Sequence, residues 1–345
     1  MSTPERPAGR FRAYAQFVAA VLYFFLARAL ARRWALGLPS EQWAPLAEQA
    51  ILVFLLLVGY AGMGFMLDRQ QHAIGAQGLP LRPGWLREAG MGVATGWAIA
   101  VVCVVPLTLA GGIAIVLITQ PSSWAWLVAD VAFFALAAMA EEIAFRGYAF
   151  QCFARALGPV GASVGFAVFY AIVQSAAPGS NRLSEAVSIA LGLVLSAAYV
   201  RTRALWMSWG LNFGWKASRP LLFGLAVSGV NSHSPVVQGN PMGPFWLTGG
   251  GFGLDGTWTA LVVLLLALPV VFRITRDLDF RYNAPLIVAA GIPVDLDAAA
   301  RRQHEAAMGP AEPSPPALVQ ILPVAAPPPP RPADQAADFQ SGPVA

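Results

Sequence analysis

The sequence predicts an all-α membrane protein, a polytopic bundle of about eight transmembrane helices around a polar intramembrane cavity. Composition is the first observation behind this. The chain is 57% hydrophobic and 12% charged, whereas a soluble domain carries about 25% charged residues. Apolar runs are the second: stretches near the ~20 residues needed to span a bilayer recur along the chain. Third, a few charged residues sit inside those runs, where charge is expensive and marks a candidate functional site.

The first run, roughly 11–31, follows Arg6 and Arg10 and ends near Ala27-Arg28-Ala29. That layout resembles a signal peptide, but Arg32 and Arg33 just beyond do not suit cleavage, so a retained span is expected. The second run is 49–67. The third, 89–118, carries Gly92 and Gly96 at the GxxxG spacing of close helix contacts. The fourth, 125–150, contains AMAEEIAFRGYAF, and the fifth, 159–177, contains FYAIVQ. The sixth is 184–200. The seventh, 204–224, reads ALWMSWGLNFGWK at its start and has a second GxxxG pair, Gly210 and Gly214, around Asn212. The eighth is 257–274.

Three regions follow. Residues 1–48 hold the N-terminal segment and first span, 49–282 the main transmembrane domain, and 283–345 a Pro/Ala-rich tail. The tail includes Pro327-Pro328-Pro329-Pro330 and shows no apolar periodicity. It reads as a disordered cytoplasmic segment.

The formal net charge of +4 is carried in loops, so it is no nucleic-acid footprint. Its distribution gives an orientation. With the N-terminus in the cytoplasm, the inside loops up to Arg281 hold twelve arginines and the outside loops four, Arg28, Arg32, Arg33 and Arg182. The long 225–256 loop has no Lys or Arg and is expected outside. This places the protein in the cell membrane with both ends cytoplasmic. The two cysteines, Cys103 and Cys152, lie in apolar runs and read as small buried hydrophobes.

The polar residues of the fourth and seventh runs carry the chemistry. Glu142 and Arg146 are four apart with the acid first, which suits a helical ion pair. Glu141 points about a quarter turn away and has no partner on its own helix. Lys216 is the chain's single lysine, and it shares a helix face with Asn212. Glu141, Glu142, Arg146 and Lys216 sum to zero charge, as a low-dielectric pocket requires. Lys216 is therefore expected to pair with Glu141, against the alternative that it extends to a surface. Arg219 follows a turn later, before Pro220, and is expected nearer the outer surface. Gln174 adds an amide on the fifth run.

In combination these segments resemble the CAAX prenyl protease 2-like family, also called CPBP intramembrane proteases. Its EExxxR motif stands complete as Glu141, Glu142 and Arg146. Its FxxxH motif falls on Tyr170-Ala171-Ile172-Val173-Gln174, and its HxxxN motif on Asn212-Phe213-Gly214-Trp215-Lys216. Ser228-Gly229-Val230 and GPFWLTGGGFGLDGTW resemble a loop common in bacterial members. The resemblance covers roughly residues 50–275. It implies a conical bundle of about eight helices, with Glu141 activating water. The His and Asn positions would hold that water, a divalent metal such as zinc, or the oxyanion.

Here both His positions and the Asn position have changed, to Gln174, Asn212 and Lys216. A carboxamide does not shuttle protons near neutral pH as imidazole does, and it is a poor zinc ligand. The chain's three histidines, His72, His233 and His304, lie outside the apolar runs. The expectation is a proteolytically impaired member with no metal cofactor, partnered by membrane lipid and a peptide or membrane-protein segment. Two other readings stay open. One is an active glutamate-dependent endopeptidase with Gln174, Asn212 and Lys216 stabilising the oxyanion. The other is a transporter or channel using the buried charges, although neither an internal repeat nor paired broken helices support it.

Overall fold

The computed structural model describes residues 7–70, 73–229 and 236–283. In chain order its elements are α1 (Pro7–Leu36), α2 (Ala44–Asp68), the short α3 (Ala73–Ala76), α4 (Trp85–Leu109) and β1 (Ile113–Leu117). There follow α5 (Pro121–Arg146), α6 (Tyr148–Gln174), α7 (Arg182–Thr202), α8 (Leu205–Phe223) and β2 (Val237–Pro241). The short α9 (Phe245–Thr248), then α10 (Trp258–Ile274) and α11 (Arg276–Tyr282), complete them. The tail from 284 onward lies outside the described residues, as do His72, His233 and His304.

The long helices stand where the apolar runs predict them, and the chain is a multi-pass membrane protein. Among the described residues five helical stretches are long and apolar enough to cross a membrane, six when α10 and α11, bent by 56°, count together. One stretch, Pro121–Gln174, has 54 residues and is α5 and α6 joined across Gly147. At 1.5 Å per residue it is roughly 80 Å long, enough for two crossings of a ~30 Å core.

Two expectations need correction. The seventh run, 204–224, forms α8, but this helix falls short of the apolarity of a lipid-facing span. It lies in the interior, with Asn212, Lys216 and Arg219 all buried. The third run does not continue as helix to 118. It ends at Leu109, before Gly111-Gly112, and the β-branched stretch Ile113–Leu117 becomes β1. β1 pairs antiparallel with β2, in the register Ile113↔Pro241 to Leu117↔Val237. The 225–256 segment therefore carries structure of its own.

The two GxxxG pairs face each other. A methyl group at Gly92 or Gly96 would overlap backbone atoms of Met207, Leu211 and Trp215, and one at Gly210 or Gly214 would overlap those of Ala89, Val93 and Trp97. Each pair thus lets the other helix's backbone come close, the geometry that small residues permit between membrane helices. Residues two apart on a helix point about 200° apart. With Gly210 and Gly214 turned to α4, Asn212 and Lys216 face the other way, towards α5.

The remaining helices wrap this crossing. α5 packs on α8 and α2, α6 on α7 and α1, and α10 on α7. α1 is tied in by the Phe17–Phe153 ring stack at 4.6 Å and by the Tyr60 hydroxyl donating to the Ala20 carbonyl at 3.2 Å.

Candidate active site

The site forms near the C-terminal end of α5, where Glu141 and Glu142 meet α8 and α6. Glu142 is fully buried, and its Oε1 accepts from Arg146 Nη1 at 3.0 Å. Arg146 is equally buried and also donates to the Gly192 carbonyl of α7 at 3.2 Å. This pair is sealed in protein and joins α5 to α7.

Glu141 points to the other side. Its Oε1 is ion-paired with Lys216 Nζ. Its Oε2 accepts from Asn212 Nδ2 at 3.1 Å and from the Tyr170 hydroxyl at 3.2 Å. The same Asn212 amide donates to Glu142 Oε1 at 3.0 Å, bridging the two carboxylates. Gln174 does not touch Glu141. Its Nε2 donates to the Tyr170 hydroxyl at 3.0 Å, so it reaches the carboxylate through the phenol.

A cavity of about 210 Å³ opens on Glu141 and Lys216. Its walls are largely apolar, with Phe24 from α1, Leu52 from α2, Phe133 and Phe145 from α5, and Val173 from α6. Arg28, Glu48 and Gln49 supply polar groups, and Val227 and Ser228 border it from the segment after α8. The Glu141 side chain is 22% exposed here, while Glu142 is 0% exposed.

Three features were not read from the sequence. Tyr170, noticed only as the residue in the motif's Phe position, is the hub between Gln174 and Glu141. Arg219, placed nearer the surface, is fully buried, with Nη1 2.6 Å from Asp255 Oδ1 and its guanidinium over the Trp215 ring. Asp255 also accepts from the Ser228 backbone N–H at 3.0 Å and the Ser228 hydroxyl at 2.9 Å. The Arg219–Asp255 pair thus anchors the cavity-lining 227–228 segment to α8. Asp255 in GFGLDGTW was the available signal: a carboxylate in an uncharged, Gly-rich stretch that follows a helix bearing a surplus arginine.

The residues present do not fit a zinc ion. The donor set is two carboxylates, two carboxamides and an ammonium, and the ammonium holds one oxygen of Glu141. Asn212 turns its NH₂ group, a donor, to both carboxylates. Among the described residues no group of three or more His, Cys, Asp or Glu side chains could hold a metal.

Paired glutamates followed by arginine inside a helical membrane bundle are the EExxxR pattern of the family that the sequence resembles. Residues 121–218 match the family model described as type II CAAX prenyl endopeptidase Rce1-like, so over this segment the chain is similar to that family. That segment spans α5 through most of α8 and includes Glu141, Glu142, Arg146, Tyr170, Gln174, Asn212 and Lys216. Comparison with curated proteins and with solved structures gives no match.

Proposed function

We propose that this is a proteolytically impaired Rce1-like protein of the cytoplasmic membrane, with its N-terminus and tail on the cytoplasmic side. Its cavity binds an apolar membrane segment or peptide of a partner without cleaving it. One observation carries the reading: both oxygens of Glu141 are engaged, by Lys216 on one side and by Asn212 and Tyr170 on the other. A general base must offer a lone pair to water within hydrogen-bond reach. Here an ammonium, an amide and a phenol take three of the carboxylate's roughly four lone-pair sites, and no imidazole stands at the family's His positions to relay the proton. The same donor set argues against a metal cofactor. The apolar walls suit side chains of a hydrophobic segment, and a volume of about 210 Å³ admits one or two at a time.

A second reading, an active variant endopeptidase, draws on the position of Asn212 Nδ2 and Lys216 Nζ beside a cavity-facing carboxylate. Both are donors, and donors aimed at developing negative charge are what an oxyanion site needs.

The experiment is cleavage by the full chain in lipid, on a broad library of peptides and membrane segments. It is run beside Glu141→Ala, with and without zinc. The expected result is no Glu141-dependent product and no zinc uptake, with labelled apolar segments retained by the folded protein. Cleavage that disappears in Glu141→Ala overturns the proposal and makes the Gln, Asn and Lys site a working one.

A further inference from the structure

A second cavity, larger than the one at the glutamates, lies away from them at the end of the bundle where α1 begins and α7 ends. Its volume is about 850 Å³, within the roughly 300–1,000 Å³ range of ligand pockets. Three arginines from three places in the chain line it: Arg10 on α1, Arg155 on α6 and Arg203 just after α7. Among the described residues none of its lining is acidic. The walls between them are apolar, including Phe150, Leu157, Pro159 and Val200.

The cavity is a built feature. α6 breaks at Gly158, whose φ of 79° lies in the left-handed region, and Pro159 restarts the helix, so the wall bends away there. Gln151 Nε2 donates to the Ala76 carbonyl at 2.6 Å and to the Tyr199 hydroxyl at 3.1 Å, fixing α3 and α7 around the opening. Arg155 is held by Asp68, with Nη2 3.1 Å from Oδ2 and Nη1 3.1 Å from Oδ1, and Arg203 bonds Asn283. Arg10 has no partner among the described residues. Among the described residues Asp68 is the carboxylate ion-paired with a lining arginine, Arg155, and it also lies 3.9 Å from Arg12. The three lining arginines, Arg10, Arg155 and Arg203, outnumber it, leaving a local surplus of positive charge among the described residues.

We infer that this cavity binds the phosphate headgroup of an anionic phospholipid, with an acyl chain along the Phe150–Leu157–Val200 wall. Guanidinium groups bind phosphate oxygens bidentately. Basic pockets between transmembrane helices are also where anionic lipid headgroups lodge. The site is independent of the glutamate cavity and of whether that cavity cleaves anything.

The test is native mass spectrometry of the full chain in detergent with equal phosphatidylglycerol and phosphatidylcholine. Wild type is expected to retain phosphatidylglycerol selectively. Arg10→Gln/Arg203→Gln should weaken that retention about 25-fold, roughly fivefold per arginine. Arg32→Gln/Arg33→Gln, at the far end of α1, should leave it unchanged. Equal retention of the two lipids by wild type, or equal loss in the two double variants, overturns the inference. A competition arm separates the sources of phosphate. Inorganic phosphate at millimolar concentration should fail to displace the lipid, and full displacement would overturn the amphiphile in favour of a soluble anion. Thermal unfolding without added lipid checks the fold. If the double variant unfolds early, Arg10→Gln alone carries the test with the same sign.

Discussion

Glu141 and Glu142 are neighbours in sequence and on one helix, yet they live in different surroundings. Glu142 is sealed, with Arg146 four residues on and the bridging Asn212 amide at the same oxygen. Glu141 faces a cavity and is held by groups from two other helices, Lys216 and Asn212 on α8 and Tyr170 on α6. The first arrangement ties helices together. The second occupies the atom that the family would use for chemistry. A hundred-degree rotation on the helix is enough to separate a structural acid from a functional one.

The sharpest way to break the contrast is Arg146→Ala. It leaves Glu142 as an uncompensated buried charge and removes the donor to the Gly192 carbonyl. The expected loss is about 3–5 kcal/mol. Unfolding in detergent should show a large drop in midpoint, with poor recovery of folded protein. A drop no larger than that of the Lys216 variant below would erase the distinction between the two carboxylates.

How much of this was legible in the sequence depended on distance along the chain. The Glu142–Arg146 pair is local, because helical spacing alone brings the side chains together. The Lys216–Glu141 pair spans 75 residues, yet charge balance pointed to it, since one lysine and one unpartnered glutamate are costly apart in a membrane interior. Tyr170 gave no such signal. An aromatic in an apolar run reads as core, and only the approach of α6 to α5 turns its hydroxyl onto the carboxylate. Asp255 was hidden because its segment reads as a solvated loop, whereas the fold carries it back onto the buried Arg219. β1 was read as helix because an uninterrupted apolar run has no period to separate strand from helix. The family motifs pointed to residues that the fold brings together, but the cavity's walls, drawn from α1, α2, α5 and α6, are a property of packing.

Lys216→Ala should be milder than Arg146→Ala, since Glu141 keeps two hydrogen bonds and some contact with the cavity. A loss of about 1–3 kcal/mol is expected, read as a smaller drop in unfolding midpoint. The paired variant Glu141→Gln/Lys216→Met removes both charges and should come within about 1 kcal/mol of wild type. That non-additivity is the signature of a direct ion pair. An unchanged midpoint for Lys216→Ala would mean that the pair contributes nothing to stability.

Tyr170→Phe should have the smallest effect and resolves the relay. It deletes one hydrogen bond to Glu141 and leaves the Gln174 amide without its acceptor, while the ring still packs edge-on against Phe145 at 5.1 Å. The expected cost is about 0.5–1.5 kcal/mol. Coupling decides the interpretation. If Gln174 acts on Glu141 only through the phenol, then Gln174→Ala in the Tyr170→Phe background should add almost nothing to the change in midpoint. In the wild-type background it should cost a measurable amount. Equal costs in the two backgrounds would show that Gln174 contributes independently of Tyr170. The three motif positions would then not act as one hydrogen-bonded unit around Glu141, and the contrast with the self-contained Glu142–Arg146 pair would narrow to the Lys216 contact alone.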